Sequence, residues 1–163
     1  MTVDFQIRKA PEYRVATRTL RGSWPGDKAL RAEFEKVQAW AKEKDLKTGK
    51  WFFQEFGDDD TPSAKWRYEA GVEIRGTRSV RGGKGVVIKT LPASSVAAVT
   101  FDPDKVSPRV VYHGLADWLR HREKEGEYKE VGPYREVYLG NPWSSKRAWA
   151  NTQIQVPVKR LRS

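Results

Sequence analysis

Alternation of apolar and polar residues is the clearest pattern along this chain. Between positions 64 and 75, Tyr68 and Ile74 fall on one side of an extended chain while Arg67 and Glu69 fall on the other, which predicts a half-buried strand. Between positions 27 and 46 the apolar residues follow helical spacing instead. Applied throughout, these criteria predict helices over 27–46 and 107–125 and strands over 3–9, 12–20, 51–56, 64–75, 86–91, 95–101, 133–139 and 147–158.

The order of the predicted elements occurs twice, once in residues 3–75 and again in residues 86–158. Residues 76–85, with four glycines and three basic residues, are predicted to link the two occurrences. Similar residues recur at nearly constant separations: Pro11, Val15 and Ala16 precede Pro92, Val96 and Ala97 by 81 positions, Val37 and Trp40 precede Leu115 and Trp118 by 78, and Phe56, Val72 and Ile74 precede Tyr138, Ile154 and Val156 by 82. We therefore predict a single domain, residues 1–163, built from two β-β-α-β-β repeats.

These repeats predict an α+β fold with two antiparallel sheets, each carrying one helix. A single helix covers only one face of a four-stranded sheet, so the other face needs a partner. We expect the two halves to bring their uncovered faces or edges together around a pseudo-twofold cleft. Clefts between repeated units are common sites for small ligands.

Composition excludes several classes of protein. The chain has no cysteine, which rules out disulfides, thiolate metal sites and a cysteine nucleophile. No apolar run reaches the ~18–20 residues of a membrane helix, and the N-terminus lacks the pattern of a signal peptide. We therefore expect a cytoplasmic protein without membrane contact. Its net charge of +10 permits contact with nucleic acid but also serves solubility alone.

Four segments spread over nearly the whole chain carry recognisable motifs: in order, residues 11–16 (PEYRVA), 65–72 (KWRYEAGV), 132–138 (GPYREVY) with Asn141-Pro142, and 152–158 (TQIQVPV). They resemble the GyrI-like effector-binding family, which also provides the ligand domains of multidrug-responsive transcription regulators. The resemblance implies two β-β-α-β-β repeats, a cleft for lipophilic and often cationic compounds, and a pocket made by a glutamate of the second repeat and surrounding aromatic residues. Some members hydrolyse cyclopropane-bearing genotoxins, and the eponymous member acts on DNA gyrase. We expect a stand-alone version of this domain.

The candidate site is centred on the strand over 133–139. Alternation places Tyr134, Glu136 and Tyr138 on one face of that strand. A carboxylate between two aromatic rings suits a ligand cation, since both groups attract positive charge more strongly when water is excluded. The alternative is that Glu136 pairs with Arg135 or a nearby basic residue on a solvated face. The resemblance favours the pocket, with a small organic compound as the partner.

An offset of 82 residues extends the predicted site into the first repeat. It matches Tyr134, Glu136 and Tyr138 with Phe52, Gln54 and Phe56. We therefore expect a cleft lined by Tyr-Glu-Tyr from one half and Phe-Gln-Phe from the other, with one charge among aromatic rings.

Two tryptophans complete the predicted binding residues. Trp149 shares a face of the predicted last strand with Asn151 and Gln153, which makes it a candidate wall of the cleft. Trp40, which matches Trp118, lies on the first predicted helix. Core packing is the alternative for Trp40.

Hydrolysis of a strained ring is the enzymatic alternative. Ring opening needs an activated water and a proton for the departing group. Glu136 would serve as the base and Tyr138 or Tyr134 as the proton donor. The same carboxylate would serve a protein that only binds cations, so the sequence leaves both open.

The second functional alternative is a basic module that contacts DNA or DNA gyrase. Arg75, Arg78, Arg81 and Lys84 lie in and beside the linker with no acidic residue among them, and phosphate contacts would make such binding strongly salt-dependent. A solvated linker is the simpler interpretation. We expect no cofactor and no metal, because the two histidines lack a zinc-binding pattern.

Overall fold

The computed structural model describes residues 3–57 and 60–161 and confirms a mixed α+β fold. Two long α-helices, one short α-helix and a 3-10 turn at Ser63–Lys65 accompany nine strands in this part of the chain. Along the chain the elements are β1 (Gln6–Ala10), β2 (Tyr13–Arg21), α1 (Asp27–Glu43), β3 (Thr48–Phe56), β4 (Arg67–Ile74), β5 (Val87–Leu91), β6 (Ser94–Phe101), α2 (Pro108–Lys124), β7 (Tyr128–Glu130), β8 (Arg135–Tyr138), α3 (Lys146–Ala150) and β9 (Thr152–Arg160). None of the described helices is long and apolar enough to cross a membrane.

The chain forms two compact units. The first, Glu12–Pro92, is called the central unit here; the flanking unit comprises the segments that end at Pro11 and begin at Ala93. The antiparallel sheet of the central unit has the strand order β3-β4-β2-β5. In the flanking unit, β6 pairs with β1 on one side and β9 on the other, and β9 also pairs with β8 and β7.

The boundaries of these units differ from those of the two predicted repeats. Strand β1 belongs to the first repeat but pairs with β6 of the second, with Ile7 opposite Ala97. Strand β5 belongs to the second repeat but pairs with β2 of the first, with Ile88 opposite Ala16. Each unit therefore contains a strand from the other repeat. The duplication itself stays a prediction.

Each long helix packs one apolar stripe on its own sheet. In the central unit, Phe34 of α1 stacks on Trp51 of β3 with ring centroids 5.2 Å apart. In the flanking unit, Leu115 of α2 belongs to a buried cluster with Ile154 and Val156 of β9. Burial of one such side chain contributes roughly 1.5–3 kcal/mol to stability, so both helices are held mainly by these contacts.

The strand predicted over 147–158 is wrong at its beginning. Residues Lys146–Ala150 form the helix α3, and the strand begins only at Thr152. The side chain of Ser145 accepts a hydrogen bond from the Ala148 N–H at 3.1 Å, which is the helix cap that directs this turn. The short strand β7 was also not predicted from the sequence.

The glycine-rich linker, residues 76–85, is attached to the central unit by arginine side chains. Arg14 of β2 donates to the carbonyl oxygens of Arg78, at 2.6 Å, and Gly76, at 3.0 Å. Arg18 donates to the carbonyl of Lys84 at 2.5 Å and also pairs with Glu33 of α1 at 2.5 Å. Burial alone would raise the pKa of Glu33, but hydrogen bonds and charges from Arg18 and Lys36 hold that pKa below its usual value. The linker is therefore an ordered part of this unit.

Replacement of Gly71 by alanine should destabilise the central unit. The added Cβ would lie 2.6 Å from the Phe52 ring and 2.9 Å from the carbonyl oxygen of Ala16, and such overpacking costs about 1–3 kcal/mol. The free energy of unfolding measured in urea should fall by that amount. Gly83→Ala is the matched control, because nothing lies within 4 Å of its added Cβ, and its change should stay within about 0.5 kcal/mol. Equal stability of the two variants would contradict the packing described for Gly71.

Candidate functional site

Glu136 lies on β8 beneath helix α2 and receives two tyrosine hydrogen bonds. The hydroxyl of Tyr112 on α2 donates to Oε2 at 3.0 Å, and the hydroxyl of Tyr138 donates to Oε1 at 3.1 Å. Glu136 stands opposite Ile154 of β9, which belongs to the core beneath α2. The predicted sharing of one face by Glu136 and Tyr138 agrees with this contact. The carboxylate is half-buried and oriented by two neutral donors.

Tyr134 extends this group at the beginning of β8. Its ring centroid lies 6.0 Å from that of Tyr112, and it packs against the α2 core cluster. Its hydroxyl donates to Glu130 Oε2 at 2.9 Å. Burial, together with the charge and the hydrogen bond of Glu130, raises the pKa of the Tyr134 hydroxyl far above its usual value. Tyr134 therefore remains a neutral donor.

We call Glu136 with Tyr112, Tyr134 and Tyr138 the tyrosine–glutamate site. It combines one carboxylate with three aromatic rings inside a single unit. Such a group can attract a cation by charge and by the negative faces of the rings. It can also hold protons at defined atoms, because each hydroxyl next to the carboxylate has a fixed partner.

Tyr112 and Glu130 were not singled out from the sequence. Tyr112 follows the buried Val111 on α2, so the apolar stripe alone does not distinguish it. The predicted repeat contains a pattern that could have indicated Tyr112. This residue follows Phe34 by 78 positions, the same separation as between the other matched helix residues. Glu130 lies on β7, the strand that was not predicted.

Phe52, Gln54 and Phe56 lie on β3 of the central unit. Phe52 is completely buried and packs against Gly71. The buried Gln54 donates to Glu69 Oε1 at 3.1 Å. The guanidinium of Arg67 lies 4.2 Å from the centre of the Phe56 ring. Glu69 of β4 also pairs with Lys89 of β5 at 2.6 Å, so Gln54 lies next to an ion pair of its own unit.

The strand registers of the two units do not support the predicted match between Gln54 and Glu136. In the central unit Val72 pairs with Trp51, whose ring stacks on α1. In the flanking unit Ile154, which follows Val72 by 82 positions, pairs with Glu136. When the predicted repeats are aligned on Val72 and Ile154, Glu136 therefore aligns with Trp51. Gln54 lies on the opposite face of its strand, because successive side chains alternate.

The two candidate tryptophans lie in different surroundings. Trp40 is 3% exposed within the α1 core, and its indole N–H has no hydrogen-bond partner among residues 3–57 and 60–161. Trp149 is on helix α3, so its predicted place on a strand face beside Asn151 and Gln153 is wrong. Its indole N–H donates to Asp104 Oδ1 at 3.0 Å.

The basic residues of the linker region largely have partners within the protein. Arg75 lies 3.9 Å from Glu73, and Lys84 pairs with Glu43 at 2.9 Å. Arg78 donates to the carbonyl of Lys44. Arg81 is exposed. No group of three or more histidine and acidic residues suited to a metal ion occurs in the described part of the chain.

Comparison with known proteins identifies the domain type. The model of the GyrI-like small molecule binding domain matches residues 4–159. A search of curated proteins finds no match.

Solved structures share this fold at low sequence identity. The crystal structure of the EcmrR C-terminal domain is 16% identical with a TM-score of 0.71, and the alignment covers 99% of this chain and 100% of that one. EcmrR in a cryo-EM complex with DNA is 17% identical with a TM-score of 0.74, covering 98% of this chain and 58% of the EcmrR chain. SAV2435 bound to tetraphenylphosphonium is 16% identical with a TM-score of 0.56, covering 96% and 94%.

Replacement of Glu130 by glutamine should lower the pKa of Tyr134. The change removes the negative charge that helps to keep the Tyr134 proton in place, while burial still holds the pKa above the usual 10.0. An NMR titration of tyrosine labelled at Cζ would measure the change. Glu127→Gln is the control, because Glu127 pairs with Arg122 instead. An unchanged titration of Tyr134 in Glu130→Gln would contradict the hydrogen bond between them.

Proposed function

The chain belongs to the GyrI-like small molecule binding domain family, and from this premise we propose that it binds a lipophilic organic cation at the tyrosine–glutamate site. The observation that supports the proposal is the half-buried Glu136 carboxylate, which lies between the hydroxyls of Tyr112 and Tyr138. Partial burial reduces the screening of this carboxylate by water, so a ligand cation would be attracted to it more strongly than to an exposed carboxylate.

The three aromatic rings of the site favour the same kind of ligand, because their faces also attract a positive charge. A cation over an aromatic face gains about 0.5–1 kcal/mol when exposed and about 2 kcal/mol or more when water is excluded. Tyrosine offers this face together with a hydroxyl that can turn toward Glu136. The tetraphenylphosphonium bound by SAV2435 is a compound of this class. We propose a role in sequestration, sensing or regulation through such ligands.

Comparison of the two units supports the same assignment. Where the central unit stacks Phe34 on Trp51, the flanking unit has Tyr112 hydrogen-bonded to Glu136. A pair that only filled a core would have no need of a carboxylate. The change from two apolar rings to a phenol and a carboxylate points to a site that receives a charged group.

Replacement of Glu136 by glutamine should weaken the binding of tetraphenylphosphonium by about tenfold or more, since the loss of ~1.4 kcal/mol of charge attraction changes affinity by that factor. Isothermal titration calorimetry on the whole chain would measure the dissociation constants. Glu123→Gln, an exposed glutamate on α2, is the control.

Unchanged affinity in Glu136→Gln, with wild-type circular dichroism, would overturn Glu136 as the cation-binding group. Loss of affinity in both variants would also contradict the proposal, because a general change of surface charge would then explain it. The absence of measurable binding in the wild type would refute this ligand class.

Hydrolysis of a strained ring is a second candidate, supported by the 3.1 Å contact between Tyr138 and Glu136. In this reaction Glu136 takes a proton from water while the water oxygen bonds to a carbon of an electrophilic cyclopropane. The ring bond between that carbon and the activated carbon breaks, and the electron pair released from it receives the proton of Tyr138. Proton transfer from Glu136 to the Tyr138 oxygen then restores both groups, so the product is the substrate plus one water.

This reaction is expected to yield that product by mass spectrometry when enzyme and an activated cyclopropane are mixed in equal amounts. Tyr138→Phe should slow product formation by about 10²-fold or more if the tyrosine donates the proton, while leaving tetraphenylphosphonium binding within a few-fold. Formation of no product by the wild-type chain would exclude this branch and leave the binding proposal intact.

A further inference from the structure

An open pocket of about 770 Å³ lies in the central unit, at the end of the sheet where β2 begins and β4 ends. Its lining comes mainly from β2, β4 and β5, from Lys50 of β3 and from the first residues of the linker. All of these residues belong to the central unit. We call this space the linker pocket. Its volume falls within the ~300–1,000 Å³ of ordinary ligand sites.

Three neighbouring strands each contribute one residue to a row across this pocket. Arg14 of β2 stands directly opposite Thr90 of β5 on one side and Ile74 of β4 on the other. Residues directly opposite one another share a face of the sheet. Ile74 is buried and Thr90 is exposed, so an apolar floor, a guanidinium and a hydroxyl lie side by side.

The guanidinium of Arg14 is oriented but not neutralised. It donates to the carbonyl oxygens of Arg78 at 2.6 Å and Gly76 at 3.0 Å, which uses two of the five N–H donors of the group. Carbonyl oxygens carry no formal charge, and no carboxylate pairs with Arg14 among residues 3–57 and 60–161. The group therefore keeps its positive charge and further donors for a ligand.

Lys50 brings a second cation to the pocket. The β3–β4 register shifts between Thr48 and Trp51, and such an irregularity interrupts the ladder and redirects side chains. The backbone N–H of Lys50 donates to Glu73 Oε1 at 3.1 Å. Its half-buried side chain makes no hydrogen bond or ion pair within the part of the chain that the structure describes. Its ammonium charge is therefore available to a ligand.

Two carboxylates also line the pocket, but they do not neutralise these two cations. Glu73 accepts the Lys50 backbone N–H and lies 3.9 Å from Nε of Arg75, so it already faces a cation of its own. Glu12 is exposed, so water screens its charge. Arg14 and Lys50 therefore remain without an anionic partner.

We propose that the linker pocket binds a small organic phosphate, whose phosphoryl group lies between Arg14 and Lys50. Arginine binds phosphate through two parallel N–H donors, and lysine binds it as a point charge. The Thr90 hydroxyl would donate to a further phosphoryl oxygen, and the organic part would lie over Ile74. The tyrosine–glutamate site lies in the flanking unit, so this proposal does not depend on the function proposed above.

The test follows the amide signals of two lining residues, Thr77 and Thr90, by ¹H–¹⁵N NMR while the whole chain is titrated with phenyl phosphate. A pH of about 8 gives the probe nearly two negative charges, because the second pKa of a phosphate monoester is about 6. Both signals should show a saturable shift. Affinity should fall about tenfold or more in Lys50→Gln, as expected when one charge-assisted hydrogen bond is lost. Lys28→Gln, an exposed lysine on α1, is the control and should retain wild-type affinity.

Two comparisons test the class of ligand. Benzoate, with one negative charge, should bind about tenfold more weakly than phenyl phosphate. Glu12→Gln should bind phenyl phosphate at least as tightly as the wild type, because it removes a negative charge from the lining.

Weaker binding in Glu12→Gln would overturn the proposal, because it would indicate a zwitterionic ligand whose cation Glu12 holds. Equal affinity for benzoate, equal affinity in Lys50→Gln and wild type, or an equal loss in Lys28→Gln and Lys50→Gln would also overturn it. So would the absence of a saturable shift in the wild type.

Discussion

The constraint on which the rest of this structure depends is that each sheet has its long helix on one face only. Because successive side chains along a strand point to opposite faces of the sheet, a residue's position in the strand decides whether its side chain lies beneath that helix or on the opposite face. In the central unit this rule places Trp51 beneath Phe34. In the flanking unit it places Glu136 beneath Tyr112. A shift of one residue in either strand would exchange these surroundings completely.

The tyrosine–glutamate site is thus a modified core position. The packing geometry that buries an aromatic pair in one unit holds a phenol and a carboxylate in the other. The surrounding apolar residues, such as Leu115 and Ile154, still provide the stability. A polar group placed in this way is oriented by a helix and a strand, so its oxygen atoms keep defined positions.

The helices and the order of the main strands could be predicted because their apolar periodicity is strong. Helix α1 was predicted over 27–46 and is observed over Asp27–Glu43, and it differs only at the end, where helices commonly fray. The partner of Glu136 in the first repeat could not be predicted by a fixed offset. The β3–β4 register shifts between Thr48 and Trp51, and β7 lies before β8. The number of residues before the matched position therefore differs between the two predicted repeats, and a fixed offset selects a residue on the wrong face of the strand.

Local hydrogen bonds account for the other differences. Nothing in the alternation near Trp149 reveals that Ser145 caps a short helix, since five residues are too few for a helical period to emerge. The contacts of Arg14 and Arg18 with linker carbonyls could not be predicted either. Every residue has a backbone carbonyl, so the sequence does not show which one accepts a hydrogen bond. Residues 76–85 therefore have a composition typical of a flexible segment although they are ordered.

Under the predicted duplication, the pairing of β1 and β5 outside their own repeats has a consequence for the origin of the chain. A single ancestral repeat would have lacked an edge strand of its own and would have exposed the edge of its second strand. Two copies could have completed each other by mutual donation, as a strand-swapped homodimer does. Gene fusion would then have joined the two protomers through the segment that is now residues 76–85, changing the connectivity while every strand kept its neighbour.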